Sequence, residues 1–244
     1  MVHLVPEEIA RLADDLAAAR GVVAVVLGGS RAQGTHDLTS DWDIGVYYRG
    51  ELDTAAIERR GILHPPGSWG RIMNGGAWLR CGDVDVDVLL RDLDVVDPWC
   101  ERASRGEFEI DALLGYVAGV PTYSLLAERA SCVVLRGELQ VGQAFPAKLA
   151  ESAPPRWRSC RDFTLEHAHM RADRGDVVGA VGQVAKAVIE DAHARLCEER
   201  TWALNEKRIV QAAGLERFHA LFAAVPQSSD ELGRWVDTAA RTFA

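Results

Sequence analysis

The sequence lacks any apolar run long enough to cross a bilayer. Its apolar segment at 22–27 has only six residues, whereas a membrane-spanning helix needs about 20. The N-terminus also lacks a basic segment followed by an apolar stretch, so no signal peptide is predicted. We therefore expect a cytoplasmic protein with no membrane partner.

The sequence also lacks the cysteine patterns of disulfide frameworks and zinc sites. Its five cysteines are odd in number, widely spaced, and never form C-x-x-C. Disulfide-stapled and zinc-binding classes usually show even numbers or close pairs. Reduced thiols are the prediction.

Excess positive charge is absent as well. The formal net charge is −9, and proteins that bind polyanions usually carry a basic balance or a basic patch, because each neutralised phosphate releases counterions. We therefore expect no nucleic-acid partner. The charge favours a neutral or cationic small molecule instead.

The first half of the sequence contains predicted helices and strands in alternation. Apolar residues at helical spacing predict a helix over 7–19, and β-branched runs predict strands over 22–27 and 41–48. The segment 83–90 alternates Asp with Val, so its carboxylates should share one face of a strand. The pattern predicts an α+β fold, with a mixed, antiparallel-leaning sheet in residues 1–150.

The second half is mainly helical in pattern. Helical spacing covers most of the chain from residue 156 onward, and Asp176 stands where it can cap a helix. The segment Ala150–Pro155 ends in two prolines and is typical of a linker. We therefore predict a second domain, an α-helical bundle, over residues 151–244.

Two shorter signals lie within the first half. Asn74-Gly75-Gly76 is typical of a hairpin turn leading into a strand. The segment Leu113–Val120 is predicted to be helical.

A glycine-serine turn follows the first predicted strand at once. Gly28 and Gly29 allow a phosphate to approach the backbone closely, and the amides of a following helix attract its charge. Ser30 adds a hydroxyl donor, and Arg31 offers a charged one. These four residues are the predicted nucleotide-binding turn.

Carboxylates stand at the start of the second predicted strand and on a later one. Asp41 and Asp43 are two residues apart, so they should point to one face. A third carboxylate would complete an oxygen-rich site of the kind Mg²⁺ prefers. By periodicity alone Asp83, Asp85 and Asp87 are all candidates for it. Two such ions can stabilise the attacking and leaving oxygens of an in-line displacement.

This order of features resembles the DNA polymerase β-type nucleotidyltransferase superfamily. The matching segment is L-G-G-S-R-A-Q-G-T-H-D-L-T-S-D-W-D-I, in which ten residues separate Ser30 from Asp41. More narrowly, D-V-D-V-L-L-R-D-L-D (85–94) and L-N-E-K-R (204–208) resemble the aminoglycoside-nucleotidyltransferase-like branch. There, such a domain precedes a helical one that shapes the acceptor pocket.

The resemblance implies both the residue roles and the reaction. An apolar strand typically follows the third acid of the superfamily, which favours Asp87, with Asp85 as runner-up. Asp41, Asp43 and Asp87 would then hold two Mg²⁺. The activity implied is transfer of a nucleoside monophosphate, AMP from ATP, to a hydroxyl of a small molecule such as an antibiotic, with release of pyrophosphate. The alternatives are a protein AMP-transferase of antitoxin or regulatory type and a non-catalytic nucleotide sensor.

The helical half offers further candidates. The resemblance implies that Lys186 reaches the triphosphate, although a lysine in such a helix is as readily a surface residue. Glu166, His167 and His169 are candidates for a general base. The two histidines do not share a helix face, so they are not predicted to bind a metal as a pair.

Overall fold

The computed structural model of this chain describes residues 5–37, 40–226 and 228–243. The chain divides into two compact units, each made of two segments. The first is Met1–Arg102 with Leu125–Ala144, and the second is Ala103–Ser124 with Phe145–Ala244.

The predicted boundary at residue 150 lies close to the change of unit after Ala144. The two divisions differ over Ala103–Ser124, which forms part of the second unit although it lies inside the predicted first domain.

The first unit is built on a six-stranded mixed sheet. Its order is β3-β4-β5-β2-β1-β8, and only β2 and β5 run parallel. The antiparallel-leaning mixed sheet predicted from the sequence is confirmed. The strands are β1 (Val22–Leu27), β2 (Trp42–Tyr48), β3 (Gly61–His64), β4 (Gly75–Cys81), β5 (Val84–Asp92) and β8 (Val133–Gly137).

One face of this sheet forms the apolar core. Helix α1 (Glu7–Ala17) packs on it through the buried residues at the spacing seen in the sequence, among them Ile9 and Leu12. Val86 and Val88 of β5 contribute from the sheet. The alternation in β5 therefore sends valines to the core and aspartates to the opposite face, as predicted.

The chain has five other helices before residue 132 among the residues described. They are α2 (Gly29–Gln33), α3 (Ala55–Glu58), α4 (Gly70–Met73), α5 (Leu93–Ser104) and α6 (Ser124–Ser131).

Helix α6 supplies Glu128, which binds the guanidinium of Arg91 through two hydrogen bonds of 2.6 and 2.8 Å. Arg91 is almost fully buried, and it also donates to the carbonyls of Met73 and Leu90.

The second unit is mainly helical. Its core comes from apolar residues of several helices, for example Ala168, Val184 and Val236. Among the residues described, no helix is both long and apolar enough to span a membrane. The elements are β6 (Ile110–Asp111), β7 (Val120–Pro121), α7 (Ala147–Ala172), α8 (Val177–Glu198), α9 (Ile209–Ala212), α10 (Arg217–Phe222) and α11 (Ser229–Thr242).

The cap predicted for α8 is confirmed. The Asp176 carboxylate accepts the backbone N–H of Gly179 at 2.9 Å. This bond satisfies one of the first N–H groups of the helix, which have no partner inside it.

The predicted linker is wrong. Residues 150–155 lie inside α7, which continues through Pro154 and Pro155. Prolines in a helix interior remove backbone hydrogen bonds, but Pro154 is buried together with Leu149 and Trp157. The stabilisation from this apolar packing is larger than the cost of the missing backbone hydrogen bonds.

Two local predictions also differ from the structure. Leu113–Val120 is not helical, because Gly115 and Gly119 adopt φ of 86° and 95°. Gly75 and Gly76 lie within β4 rather than in a hairpin turn. A side chain at Gly76 would place Cβ 2.4 Å from the Trp69 ring, so this strand position needs a residue without one.

Candidate active site in the sheet

Asp43 and Asp87 stand side by side on the sheet. They are register partners on β2 and β5, the two parallel strands. Paired residues of neighbouring strands point to the same face, and the strands are about 4.8 Å apart. Both residues are half-buried, on the face opposite the apolar core. The structure therefore brings together two of the three predicted acids.

The glycine turn packs directly against Asp43. The Gly28 N–H donates to the Asp43 carbonyl at 2.8 Å, which extends the pairing of β1 with β2. Gly29 has φ of 58°, and a Cβ on it would lie 1.8 Å from Asp43 Oδ2. Any side chain here would collide with the carboxylate, so the glycine is required by close approach as well as by conformation.

Arg31 holds the segment that leads into β2. Its guanidinium donates to the carbonyls of Ser40 and Asp41 and stacks on the Trp42 ring, 4.3 Å from the centroid. The sequence assigned this guanidinium to phosphates. The structure shows it positioning the chain beside Asp43, and its phosphate role stays a prediction.

Asp41 and Asp85 lie at the edge of this arrangement. Asp41 is exposed and precedes β2, which begins at Trp42. Asp85 shares the face of Asp87 but is exposed and ion-paired with Arg80 at 3.5 Å, its register partner on β4. Asp83 lies in the turn before β5, outside the strand. Of the β5 candidates, only Asp87 stands beside a carboxylate of β2.

The carboxylates suit a divalent ion only in part. Two adjacent carboxylates on one face offer the hard oxygen ligands that Mg²⁺ prefers. Within the described parts of the chain, however, no three His, Cys, Asp or Glu side chains converge closely enough to hold an ion. Asp43 and Asp87 fit such an ion, and Asp41 would have to approach them to complete the predicted trio.

An aromatic cluster beside Asp87 was missed by the sequence analysis. We call His64, Trp69 and Trp78 the aromatic wall. The His64 ring lies 4.4 Å from that of Trp78 and 5.1 Å from that of Trp69. Trp78 is the register partner of Asp87 on β4. The sequence carried no signal for this cluster, because it depends on the pairing of β3 with β4 and on the turn that carries Trp69.

The candidates on α7 and α8 belong to the second unit. Lys186 Nζ lies 3.8 Å from Glu190 Oε1, and burial raises the pKa of the Glu190 carboxyl. Glu166 lines an open cavity of about 580 Å³ on α7. His167 contacts the Phe163 carbonyl, and His169 lies 3.7 Å from Asp237. Their predicted roles remain predictions.

Comparison with known proteins identifies the fold of the first unit. Residues 9–67, which carry the glycine turn and Asp43, match the family model described as "Nucleotidyltransferase domain". The first unit has the nucleotidyltransferase fold. The matched residues end before β5 and do not include Asp87. Its position beside Asp43 is given by the strand register of the sheet.

A solved structure has a similar fold along most of the chain. It is a nucleotidyltransferase-like protein from Exiguobacterium sibiricum 255-15, with a TM-score of 0.50 and 10% identity, covering 97% of this chain and 74% of that one. At this identity the likeness concerns fold alone. No curated protein matches the sequence.

Proposed function

We propose that this protein transfers a nucleoside monophosphate from an NTP, ATP by preference, to a hydroxyl of a small molecule. The observation that supports it best is the pairing of Asp43 with Asp87 beside the Gly28-Gly29 turn. Nucleotidyl transfer needs carboxylates and a phosphate-binding turn at one place. The first unit offers both on one sheet face.

Each residue has a role in this proposal. The turn, with Ser30, binds the β- and γ-phosphates. Asp43 and Asp87, joined by Asp41, would hold Mg²⁺, which would supply Lewis-acid stabilisation of the charge on the phosphate oxygens. The acceptor oxygen bonds to the α-phosphorus while the bond to the bridging oxygen breaks, and pyrophosphate leaves. We assign the hydroxyl proton to the Asp87 carboxylate.

The acceptor class is proposed on charge. A protein of net charge −9 favours a neutral or cationic acceptor over a nucleic acid. An antibiotic acceptor, as in the aminoglycoside branch, belongs to this class. It rests on the resemblance of sequence motifs and is tested directly below.

A screen for pyrophosphate release tests the proposal. Four NTPs are combined with aminoglycosides, lincosamides and nucleosides in the presence of Mg²⁺. We expect release with at least one acceptor, and a loss of about 10³-fold or more in Asp43→Ala. Asp83→Ala is the matched control, since that carboxylate lies in the turn outside β5. Undiminished release by Asp43→Ala would refute the assignment.

The alternative of a nucleotide sensor, which binds nucleotide without transfer, gives a different result in the same screen. Calorimetric binding of Mg·ATP, together with no pyrophosphate release for any acceptor in the screen, would support this sensor role. A labelled protein band after incubation with α-labelled ATP and cell extract would instead identify a protein AMP-transferase.

A further inference from the structure

We propose that the aromatic wall binds the acceptor, and that it takes an acceptor presenting a ring face next to its reactive hydroxyl. This inference rests on the proposed function and names the acceptor side of that site. Its basis is the order of residues across the sheet and the exposure of the wall.

One row of register partners crosses four strands. It runs from Asp43 on β2 to Asp87 on β5, then to Trp78 on β4 and Ile62 on β3. Register partners point to the same face. The glycine turn packs against Asp43, at the opposite end of this row from Trp78.

The geometry of in-line displacement assigns the two ends of the row. The attacking and leaving oxygens lie on opposite sides of the reacting phosphorus. If pyrophosphate leaves at the glycine turn, at one end of the row, an acceptor that approaches from beyond Asp87 satisfies this geometry. That direction leads to Trp78 and Ile62.

The residues at that end are exposed and apolar. Trp78 is 52% exposed and Ile62 64% exposed, which makes them two of the large hydrophobic side chains left open to solvent. An indole presents a flat face on which sugar or aromatic rings stack. A ring-bearing acceptor would cover apolar surface that otherwise faces water.

The wall also contains an unused polar atom. His64 Nε2 is buried and has no hydrogen-bond partner among the described residues. A buried polar atom without a partner is unfavourable. Because this atom is buried, we expect the acceptor to contact the ring faces of the wall and not His64 Nε2.

The wall is held in place by its own loop. Trp69 lies over Gly76, where only a missing side chain leaves room for its ring. Asn74, with φ of 61°, accepts the Gly67 N–H through its side chain and the Trp69 N–H through its carbonyl. Its amide donates to the Tyr48 hydroxyl at 2.7 Å. The ring surface is therefore formed before any acceptor binds.

The test uses the full chain labelled with ¹⁵N at its tryptophan indoles. The signals of Trp69 and Trp78 are assigned with Trp69→Phe and Trp78→Phe. Protein saturated with Mg·AMPCPP is titrated to millimolar concentrations with kanamycin, methyl β-glucoside and adenosine, which present amino-sugar, neutral-sugar and aromatic rings. We expect at least one probe to shift these two indole signals. No shift by any probe would overturn the inference.

A second measurement separates acceptor from nucleotide. Trp78→Leu, which keeps apolar bulk, should weaken binding of the active probe about 5- to 10-fold while leaving the Kd of Mg·AMPCPP unchanged. Val23→Ala, another exposed apolar residue of the same sheet, is the control and should change neither. A loss of Mg·AMPCPP affinity in Trp78→Leu would mean that the wall binds the nucleobase, which contradicts the inference. Failure of the wild-type protein to bind Mg·AMPCPP would refute the proposed function instead.

Discussion

Strands β2 and β5 carry very different residue pairs at their two ends. Asp43 pairs with Asp87, and four residues further on Tyr47 pairs with Arg91, on the same face of the sheet. Tyr47 and Arg91 are buried, whereas Asp43 and Asp87 are half-buried. We call the first the acidic end and the second the arginine end.

The arginine end shows what a buried charge requires. The Arg91 guanidinium is matched by both oxygens of Glu128 and by two backbone carbonyls. A charge removed from water is tolerated only when its hydrogen bonds are met within the protein. Burial raises the pKa of the neighbouring Tyr47 hydroxyl well above its usual value, so that group stays neutral.

The acidic end has the opposite character. Two carboxylates of the same sign stand on adjacent strands, and like charges directly opposite one another are unfavourable. A divalent cation between them would reverse the sign of that interaction. The hydrogen bonds of the arginine end are met within the protein, whereas the acidic end would gain from a bound cation, and each pair can be changed separately.

The largest expected effect is on transfer at the acidic end. Asp87→Asn removes a metal ligand and the proposed proton acceptor, so pyrophosphate release should fall about 10³-fold or more. Its free energy of unfolding should stay within about 1 kcal/mol of wild type or rise, because one of two like charges on adjacent strands is removed. Urea denaturation beside the release assay checks both. Undiminished pyrophosphate release by Asp87→Asn would contradict the role proposed for the acidic end.

Glu128→Gln makes the complementary change at the arginine end. It replaces the carboxylate that accepts two hydrogen bonds from the buried Arg91 guanidinium by a neutral amide, which should lower the free energy of unfolding by about 3 kcal/mol. Release per folded molecule should stay near wild type, since Glu128 is not part of the acidic end. Urea denaturation with two probes gives the first value. A normal unfolding midpoint would show that Arg91 needs no such partner.

Gly29→Ala tests the close approach beside Asp43. The added Cβ collides with the carboxylate, and φ of 58° is unfavourable for alanine, so we expect a loss of about 1–3 kcal/mol together with weaker Mg·ATP binding. Gly34→Ala is the control, because Gly34 has φ of 70° but nothing within 4 Å. The control should lose stability but keep the Mg·ATP affinity of wild type. Equal Mg·ATP affinity in the two variants would argue against a role for the contact.

The smallest expected effect belongs to Asp85→Asn. This exposed carboxylate pairs only loosely with Arg80, and surface ion pairs contribute about 0–1 kcal/mol. Stability and pyrophosphate release should both remain near wild type. A loss of release comparable to that of Asp87→Asn would make Asp85 the third acid.

Local patterns in the sequence predicted much of the first unit. Three elements could be predicted from neighbouring residues alone. They are β1 from its β-branched run, β5 from its alternation of Asp with Val, and α1 from its apolar residues at helical spacing. The glycine turn and Asp43 are close in sequence, so their neighbourhood could be predicted as well. Their contact through Gly29 could not.

Features set by long-range packing were beyond the sequence. Nothing local shows that Pro154 and Pro155 continue a helix, because the compensation comes from burial of its neighbours. Nothing local pairs Trp78 with Asp87, or Arg91 with Glu128, since register joins distant segments. The hydrogen bond from the Arg31 guanidinium to the Asp41 carbonyl could not be predicted from the sequence either.

The contact between Gly29 and the Asp43 carboxylate has a thermodynamic consequence. A turn and a side chain that touch with no spare room cannot shift independently. A triphosphate that orders the turn must therefore alter the affinity of Asp43 for a cation, and the cation must alter triphosphate affinity by the same factor. Titrations with metal-free ATP and with Mg·ATP should accordingly differ by more than the binding of Mg²⁺ to ATP in solution explains.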